Sequence, residues 1–294
     1  MRGGGIAAGI ALLAGLVGAA PAQAGAWTRG FGEHYVKVGA DSYVGLAWVD
    51  PETGEPVDAR YFGEQISLYG EVGVLPVWPL QVSVQVPLSI GTLDFGHDSF
   101  AEAGRGRATT TRLGDLRVAV QTAILRKGFQ LGLGAEVKVP MYANDSVGGE
   151  FGSWKPAFPL PGDGQVDVTP ALVFGGSLPG TPLYAQGSVG YRFRTEAFVG
   201  WDTDLEFVDG IPFSASLGLD KGRLVVQVGV DGLKNVQADA VTREWLGVSG
   251  TVLVTVWKGL AIEGRFGGEP WAHNAPQGLS FGVGLSWRPP YPGT

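Results

Sequence analysis

Two short stretches of the chain hold residue types that could carry out hydrolysis. One residue separates His97 from Ser99, and a histidine beside a serine can act as the general base for its hydroxyl. Such a pair needs a positioned third group, and the nearest asparagine is Asn144. His273-Asn274 has no nucleophile beside it. These residues form no complete catalytic set, and we predict that the protein is not an enzyme.

Metal, cofactor and nucleic-acid chemistry are also poorly supported by the sequence. The chain has three histidines, no cysteine and no repeated histidine or carboxylate spacing, as a metal site would require. Glycine-rich stretches such as Gly132-Leu133-Gly134 lack the helix needed for phosphate binding. The net charge of −7 is unfavourable for nucleic acid, which needs a basic patch. We therefore expect no metal, no cofactor and no nucleic-acid partner.

Strands with strict two-residue alternation dominate the chain, and they must position its charged residues. Apolar and polar residues alternate along 80–90, 129–139, 183–194 and 279–288. This period places all apolar side chains of a strand on one face and the polar ones on the other. The pattern predicts an all-β protein.

Twelve segments of this kind can be placed between Gly, Pro and charged turns. They lie at 33–47, 61–75, 79–91, 113–125, 128–140, 164–177, 182–195, 205–220, 222–234, 243–257, 259–268 and 278–288. The links after even-numbered segments are tight, as at Arg126-Lys127, Lys221 and Lys258, whereas those after odd-numbered segments are longer. Short periplasmic turns, long extracellular loops and an even strand count are typical of outer-membrane barrels.

Alternation alone also fits a soluble β-barrel or β-sandwich, in which the polar face meets water. Three features favour lipid on the outside. The apolar faces are almost uncharged over about 9–11 residues, enough to cross a bilayer at a tilt. The polar faces are rich in Gly, Ser and Gln rather than in the Lys and Glu of a soluble surface. Aromatic residues near strand ends could form interface girdles, namely Trp48, Tyr61, Trp78, Trp245, Trp257 and Trp287.

Closure is physically required if the strands face lipid. Every backbone donor and acceptor must be paired in hydrocarbon, and only a closed barrel removes the sheet edges. The sequence therefore predicts a transmembrane antiparallel up-and-down β-barrel of about 12 strands, whose first and twelfth strands pair. Pro170 and Pro212 fall inside predicted strands and should mark bulges or strand starts.

The polar faces carry charged residues of both signs that we predict to line the lumen. They could select solutes by charge and width, or they could pair across a narrow lumen and merely fill it. A segment at 25–32, with Trp27 and Phe31, could fold inward as a plug or form a frayed terminus. The predicted lining residues are Lys37, Asp41, Glu71, Asp115, Arg117, Glu136, Lys138, Asp167, Arg192, Arg194, Arg223, Asp231, Glu263 and Arg265.

The N-terminal 24 residues have the features of a secretory signal peptide. Arg2 precedes an apolar run from Ile6 to Ala20, and Ala22-Gln23-Ala24 provides the small-x-small cleavage pattern. We predict a signal peptide at 1–24 and an outer-membrane barrel at 25–294, with cleavage after Ala20-Pro21-Ala22 as the alternative. The run is too short for a transmembrane helix, which needs about 20 apolar residues.

Several glycine-containing motifs follow one another in the order seen in a known family. They are Gly114–Ala119, Gly132–Pro140, Gly162–Val168 and Ala185–Arg192. The chain resembles, most clearly between about 112 and 220, the outer-membrane proteins of the phenol-degradation meta-pathway, a group of transporter β-barrels. The resemblance implies a barrel that admits small, hydrophobic or aromatic compounds, and it carries over no binding residues.

Two further features bear on family and assembly. His97 and Ser99 resemble the His-x-Ser spacing of outer-membrane phospholipases, but Thr111 stands where that family has its supporting asparagine. Outer-membrane barrels commonly end on an aromatic residue that the barrel-assembly machinery recognises. Here Trp287-Arg288 is followed by the six residues 289–294, so the usual signal is altered.

Three hypotheses follow for a protein of the Gram-negative outer membrane. The first is a porin-like channel or transporter for passive passage of small, hydrophobic or aromatic solutes. The second is a structural or adhesive barrel with a filled lumen that acts through its loops. The third is a lipid hydrolase that uses Ser99 and His97. The expected partners are outer-membrane lipid, a small-molecule solute and the assembly machinery.

Overall fold

The computed structural model describes residues 26–49, 56–57, 59–95, 107–142, 162–198, 207–237, 242–273, 275 and 277–288. The predicted signal peptide and the pair His97 and Ser99 lie outside these residues. None of the described residues belongs to a helix long and apolar enough to span a membrane. The strands are β1 (His34–Val49), β2 (Pro56–Val57), β3 (Ala59–Gly73), β4 (Leu80–Phe95), β5 (Arg107–Leu113), β6 (Asp115–Leu125), β7 (Phe129–Pro140), β8 (Gln165–Ser177), β9 (Leu183–Gly190), β10 (Phe193–Phe198), β11 (Gly210–Asp220), β12 (Leu224–Asn235), β13 (Glu244–Trp257), β14 (Leu260–His273) and β15 (Gln277–Trp287).

These segments form a closed antiparallel barrel of 12 strands, as predicted. β5 and β6 together make one wall strand, interrupted at Gly114, where Pro87 of the neighbouring strand lacks an N–H for the ladder. β9 and β10 make another, and β2 is an extension paired with the end of β1. β1 pairs with β15 from Val36↔Trp287 to Ala47↔Gln277. The predicted pairing of the first and last strands is therefore confirmed.

The barrel has the polarity expected of a protein in lipid. On β3, Gln65, Ser67 and Glu71 are buried, whereas Ile66 and Leu68 on the opposite face are 47% and 53% exposed. A soluble barrel would bury its apolar face instead. The predicted orientation, with apolar side chains outside and polar side chains inside, is confirmed, and the chain has the architecture of an outer-membrane β-barrel.

The short turns, the start of β1 and the end of β15 lie at one end of the barrel, which we call the periplasmic end because outer-membrane barrels have their short turns there. The short turns at 126–128, 221–223 and 258–259 each contain a glycine with positive φ: 72° at Gly128, 74° at Gly222 and 85° at Gly259. Each of these turns is longer than predicted, because a left-handed residue is needed to reverse the chain tightly and glycine adopts that conformation without strain.

Several strands extend further toward the extracellular end than predicted, most of all β5, which begins at Arg107 rather than 113, β14 and β4. β4 continues to Phe95 and β14 to His273, where the predictions ended at 91 and 268. The strands stay paired there, for example at Glu244↔His273. The backbone hydrogen bonding therefore extends beyond the residues that alternate between apolar and polar. β11 begins at Gly210 rather than 205.

The two prolines inside predicted strands occupy special places. Pro170 lies where β8 changes partner, from β10 at Val168↔Phe193 to β9 at Ala171↔Gly190. Pro212 is the third residue of β11. Both positions agree with the rule that strand prolines sit at irregularities or strand starts.

Of the predicted girdle residues whose side chains the structure describes, three lie as expected, at the periplasmic end. Trp78, Trp257 and Trp287 are exposed there. Tyr61, by contrast, is only 2% exposed, and Trp245 lines the lumen cavity. These two residues belong to the polar, inward face of their strands, so alternation overrides proximity to a strand end. The side chain of Trp48 lies outside the described residues.

Candidate functional site: the barrel lumen

The barrel encloses a cavity of about 530 Å³, within the range of roughly 300–1,000 Å³ that is usual for small-molecule sites. Of the predicted lining residues, Asp41, Asp115, Arg117, Glu136, Lys138, Arg192, Arg194, Asp231, Glu263 and Arg265 contact this cavity. Lys37, Glu71 and Asp167 are buried elsewhere in the barrel interior. Arg223 is exposed in the periplasmic turn, because β12 begins only at Leu224, and its placement in the lumen was wrong.

One side of the lumen is a row of charged residues on adjacent strands, which we call the charged wall. The register places Arg117 opposite Lys138, Lys138 opposite Asp167, and Asp167 opposite Arg194. Residues directly opposite each other on one face of a sheet lie close enough to interact. The row thus crosses β6, β7, β8 and β10, and Glu136 neutralises Arg117 at 3.2 Å.

Lys138 is the centre of the charged wall. Its Nζ lies 2.6 Å from Asp163 Oδ1, 2.9 Å from Asp167 Oδ2 and 3.9 Å from Asp115 Oδ2. Arg194 forms a second ion pair with Asp163 and lies 3.7 Å from Asp167. Three carboxylates therefore share two cations inside the barrel.

Asp163, in the loop before β8, stays ionised because of these cations. Burial by itself raises the pKa of Asp163, but Lys138 and Arg194 lower it more by charge and hydrogen bonds. The net result is a pKa well below the usual range of an aspartate. Tyr142 completes the network by donating a hydrogen bond to Asp115 Oδ1 at 2.9 Å.

The other side of the lumen, which we call the glycine wall, is built around β15. Its inward residues are all small: Gly278, Ser280, Gly282, Gly284 and Ser286. Side chains of β1 therefore cross over β15 and reach β14. Lys37 Nζ lies 2.6 Å from Glu263 Oε1, and Asp41 pairs with Arg265. A Cβ at Gly282 would collide with the Asp41 carboxylate.

Two charged side chains in the cavity differ from the rest. No ion pair or side-chain hydrogen bond joins Arg192 or Asp231 to another described residue, although both contact the cavity. Arg192 follows β9 at the break before β10, and Asp231 lies on β12. A guanidinium and a carboxylate are thus left available to water and solutes.

A segment before β1, residues 26–30, crosses the lumen near the periplasmic end, and we call it the strap. With the Gln130 amide turned so that both of its groups are paired, its NH₂ donates to the Ala26 carbonyl at 3.0 Å and its oxygen accepts from Trp27 Nε1 at 2.9 Å. The Trp27 ring meets Tyr184 edge-on, with centroids 5.6 Å apart. β9, which carries Tyr184, lies across the barrel from β1 in the strand order. The strap therefore spans the barrel diameter.

The other end of the strap is held by an ionic contact. Arg29 Nε lies 2.6 Å from Glu71 Oε1, and Glu71 also accepts from Tyr69 and Gln81. Ala26 is only 2% exposed and contacts the cavity. Of the two alternatives for 25–32, the described residues follow the inward one up to residue 30. Phe31, 56% exposed, pairs with Gly73 at the rim.

Sequence reasoning missed several residues of this site. Asp163 and Tyr142 lie in loops, where apolar–polar alternation does not predict whether a side chain faces the lumen. Glu269 and Arg243 pair with each other; Glu269 lies one residue past the predicted strand end at 268, and Arg243 is the first residue of the predicted strand 243–257. Arg29 lies in the strap. Glu269 and Arg243 had a detectable signal, since Glu269 is in phase with Glu263 and Arg265 on β14, and Arg243 is in phase with Trp245 on β13.

Of the residues considered for hydrolytic chemistry, His97, Ser99 and Asn274 lie outside the described residues. His273 is exposed at the end of β14. Among the residues that the structure describes, no group of three or more His, Cys, Asp or Glu side chains is placed to hold a metal ion.

Comparisons with known proteins agree on the fold. No protein-family model matches the chain, and no curated protein matches its sequence. It is similar in structure to an outer membrane channel from Pseudomonas putida F1, with a TM-score of 0.63 and 13% identity over 88% of this chain and 96% of that one. The NanC porin matches with a TM-score of 0.50 and 9% identity, covering 87% and 99%. The translocator domain of the autotransporter NalP from Neisseria meningitidis matches with 0.50 and 12%, covering 88% and 89%.

Proposed function

We propose that this barrel is a passive outer-membrane channel for small solutes, which move through its charged lumen. The observation that carries the proposal is a cavity of about 530 Å³ that charged and polar side chains contact, inside a wall whose apolar side chains face outward. A solute entering the lumen meets charged groups and exchangeable hydrogen bonds, which are the elements of selectivity in pores. No covalent chemistry is needed.

The strap is the constriction of this channel. It lies between the cavity and the periplasmic opening, and its contacts at Tyr184, Gln130 and Glu71 hold it to both sides of the barrel. Its contacts are one ion pair, a few hydrogen bonds, one aromatic edge and the Arg29 guanidinium over the Tyr35 ring, so the strap limits pore width without filling the whole lumen.

Single-channel conductance in a planar bilayer tests the proposal. We expect steady openings of small unit conductance from the refolded protein. Trp27→Ala combined with Arg29→Ala should raise the unit conductance, because both anchors of the strap are removed. Trp78→Ala is the matched control, since Trp78 is exposed at the periplasmic end outside the lumen. Folded, inserted protein that stays silent in both forms would reject the channel.

The class of solute is the finer part of the proposal. Arg192 supplies a cation free to meet an anionic group, whereas the resemblance over about 112–220 implies hydrophobic or aromatic compounds. A small aromatic carboxylate has both the anionic group and the aromatic ring. Liposome flux of benzoate should therefore exceed that of an uncharged sugar of similar size, and Arg192→Gln should reduce it. Equal benzoate flux in wild type and Arg192→Gln would exclude this role of Arg192.

A barrel that acts through its loops is the second candidate, supported by the extensive ion pairing inside the lumen. It predicts no conductance even after the strap is released. In that case the solute experiments would be replaced by deletions in the long loops. These deletions should abolish the function of the protein while leaving the permeability of the membrane unchanged.

A further inference from the structure

Exposed cations without ion pairs are concentrated at the periplasmic end of the barrel. Lys221, Arg223, Lys258 and Arg288 are all exposed there, and none forms an ion pair or side-chain hydrogen bond with another described residue. The nearest carboxylate in sequence, Asp220, accepts a hydrogen bond from the Gly222 N–H. This group stands out in a chain whose net charge is −7.

These four cations lie on neighbouring strands and form one continuous surface, which we call the basic sector. The Thr255 N–H donates to the Arg223 carbonyl at 2.8 Å, which joins the turn 221–223 to β13. The Arg288 N–H donates to the Gly259 carbonyl at 2.9 Å, which joins the end of β15 to the turn 258–259. The backbone ladder thus fixes the cations side by side.

Two tryptophans and an apolar surface border the basic sector on the membrane side. Trp257 and Trp287, 65% and 45% exposed, both pair with Leu260 in the strand register. Lys258 Nζ lies 5.8 Å from the centroid of the Trp257 ring. Val256 and Leu285, 47% and 55% exposed, continue the surface into the lipid-facing wall. Tryptophan and cations at this level are typical of contact with lipid headgroups.

We infer that the basic sector binds the headgroups of anionic phospholipids in the periplasmic leaflet. A phosphate there would meet several cations with no carboxylate to displace, while its acyl chains lie along Val256 and Leu285. A lysine or arginine near an anionic membrane surface is attracted to the negatively charged headgroups, and added salt weakens this attraction. The inference is independent of solute passage, because these four side chains lie outside the lumen.

Lipid selectivity measured by electron spin resonance tests the inference. The full-length barrel is reconstituted in phosphatidylcholine vesicles, and spin-labelled phosphatidylglycerol is compared with spin-labelled phosphatidylcholine. We expect about a fivefold preference for phosphatidylglycerol at low salt, roughly the effect of one cation near the surface. The quadruple variant K221Q/R223Q/K258Q/R288Q should bring the preference close to unity. Arg60→Gln, which removes an exposed cation at the opposite end that forms no ion pair with another described residue, should leave it unchanged.

Several outcomes would overturn the inference. They are a wild type that shows no preference for phosphatidylglycerol, a quadruple variant that keeps the preference, or an equal loss of the preference in Arg60→Gln. Displacement of the labelled lipid by inorganic phosphate at constant ionic strength would also overturn it, because the sector would then recognise phosphate rather than a lipid. Heat-dependent electrophoretic mobility shows that each variant is folded, and unchanged conductance shows that the lumen is intact.

Discussion

The charged wall and the glycine wall neutralise buried charge in different ways. In the charged wall, Lys138, Asp167 and Arg194 lie directly opposite one another on neighbouring strands. In the glycine wall, Asp41 and Arg265 lie on strands separated by β15, and they meet only because Gly282 leaves the space between them open. The first arrangement depends on strand register, and the second depends on a missing side chain.

The difference also affects how far a perturbation spreads. Lys138 and Arg194 share three carboxylates, so the loss of one cation leaves more than one buried group without its partner. Lys37 and Glu263 form a separate pair in the glycine wall. Because removing one member of a buried ion pair costs far more than replacing both, the charged wall should be sensitive to single changes. The glycine wall should tolerate substitutions that replace both members of an ion pair.

The largest effect is expected for Lys138→Met. This change leaves Asp163 and Asp167 with one shared cation inside the barrel, and we expect a loss of about 3–5 kcal/mol in the free energy of unfolding. Urea unfolding in lipid vesicles measures it. Lys127→Met, in an exposed turn, is the matched control and should change the free energy by less than about 0.5 kcal/mol. A loss below about 1 kcal/mol in Lys138→Met would mean that water, rather than Lys138, solvates the carboxylates.

A smaller loss is expected for Gly282→Ala. The added Cβ displaces the Asp41 carboxylate from Arg265, and breaking one charged hydrogen bond costs about 1.5–3 kcal/mol. Gly264→Ala is the matched control, because a Cβ there meets no atom within 4 Å. Equal unfolding free energies for these two variants would contradict the crossing of side chains over β15.

The double variant Lys37→Met with Glu263→Leu should be nearly neutral. Each single change leaves a buried charge alone, whereas the double change removes both, so we expect its stability to lie within about 1 kcal/mol of wild type. A double-mutant cycle measures the coupling. Additive losses would show that the two residues do not act as a pair.

The smallest effect concerns pH. Because the pKa of Asp163 is lowered in the folded protein, its contribution to stability is complete above the unfolded pKa, about 3.9. It is lost only as pH falls below that value toward the folded pKa. The stability difference between wild type and Asp163→Asn should therefore be constant from about pH 8 to pH 5. A difference that shrinks near pH 6 would mean that Asp163 is not held ionised.

Much of the barrel wall could be predicted from local sequence, and the reason is the two-residue period. Gln65 and Ile66 are neighbours in sequence, yet one is buried and the other is 47% exposed. Alternation assigns such a pair without knowledge of the fold. It does not apply to turns and loops, which is why Arg223 was placed in the lumen and Asp163 was missed.

The sequence by itself determined the strand count, the closure and the inward or outward side of strand residues, because backbone pairing and the lipid environment leave few alternatives. The tertiary structure decided which charges meet. Asp41 reaches Arg265, and Arg29 reaches Glu71, through register and through a strap that crosses the barrel. These contacts join residues far apart in the chain, and no local period contains that information.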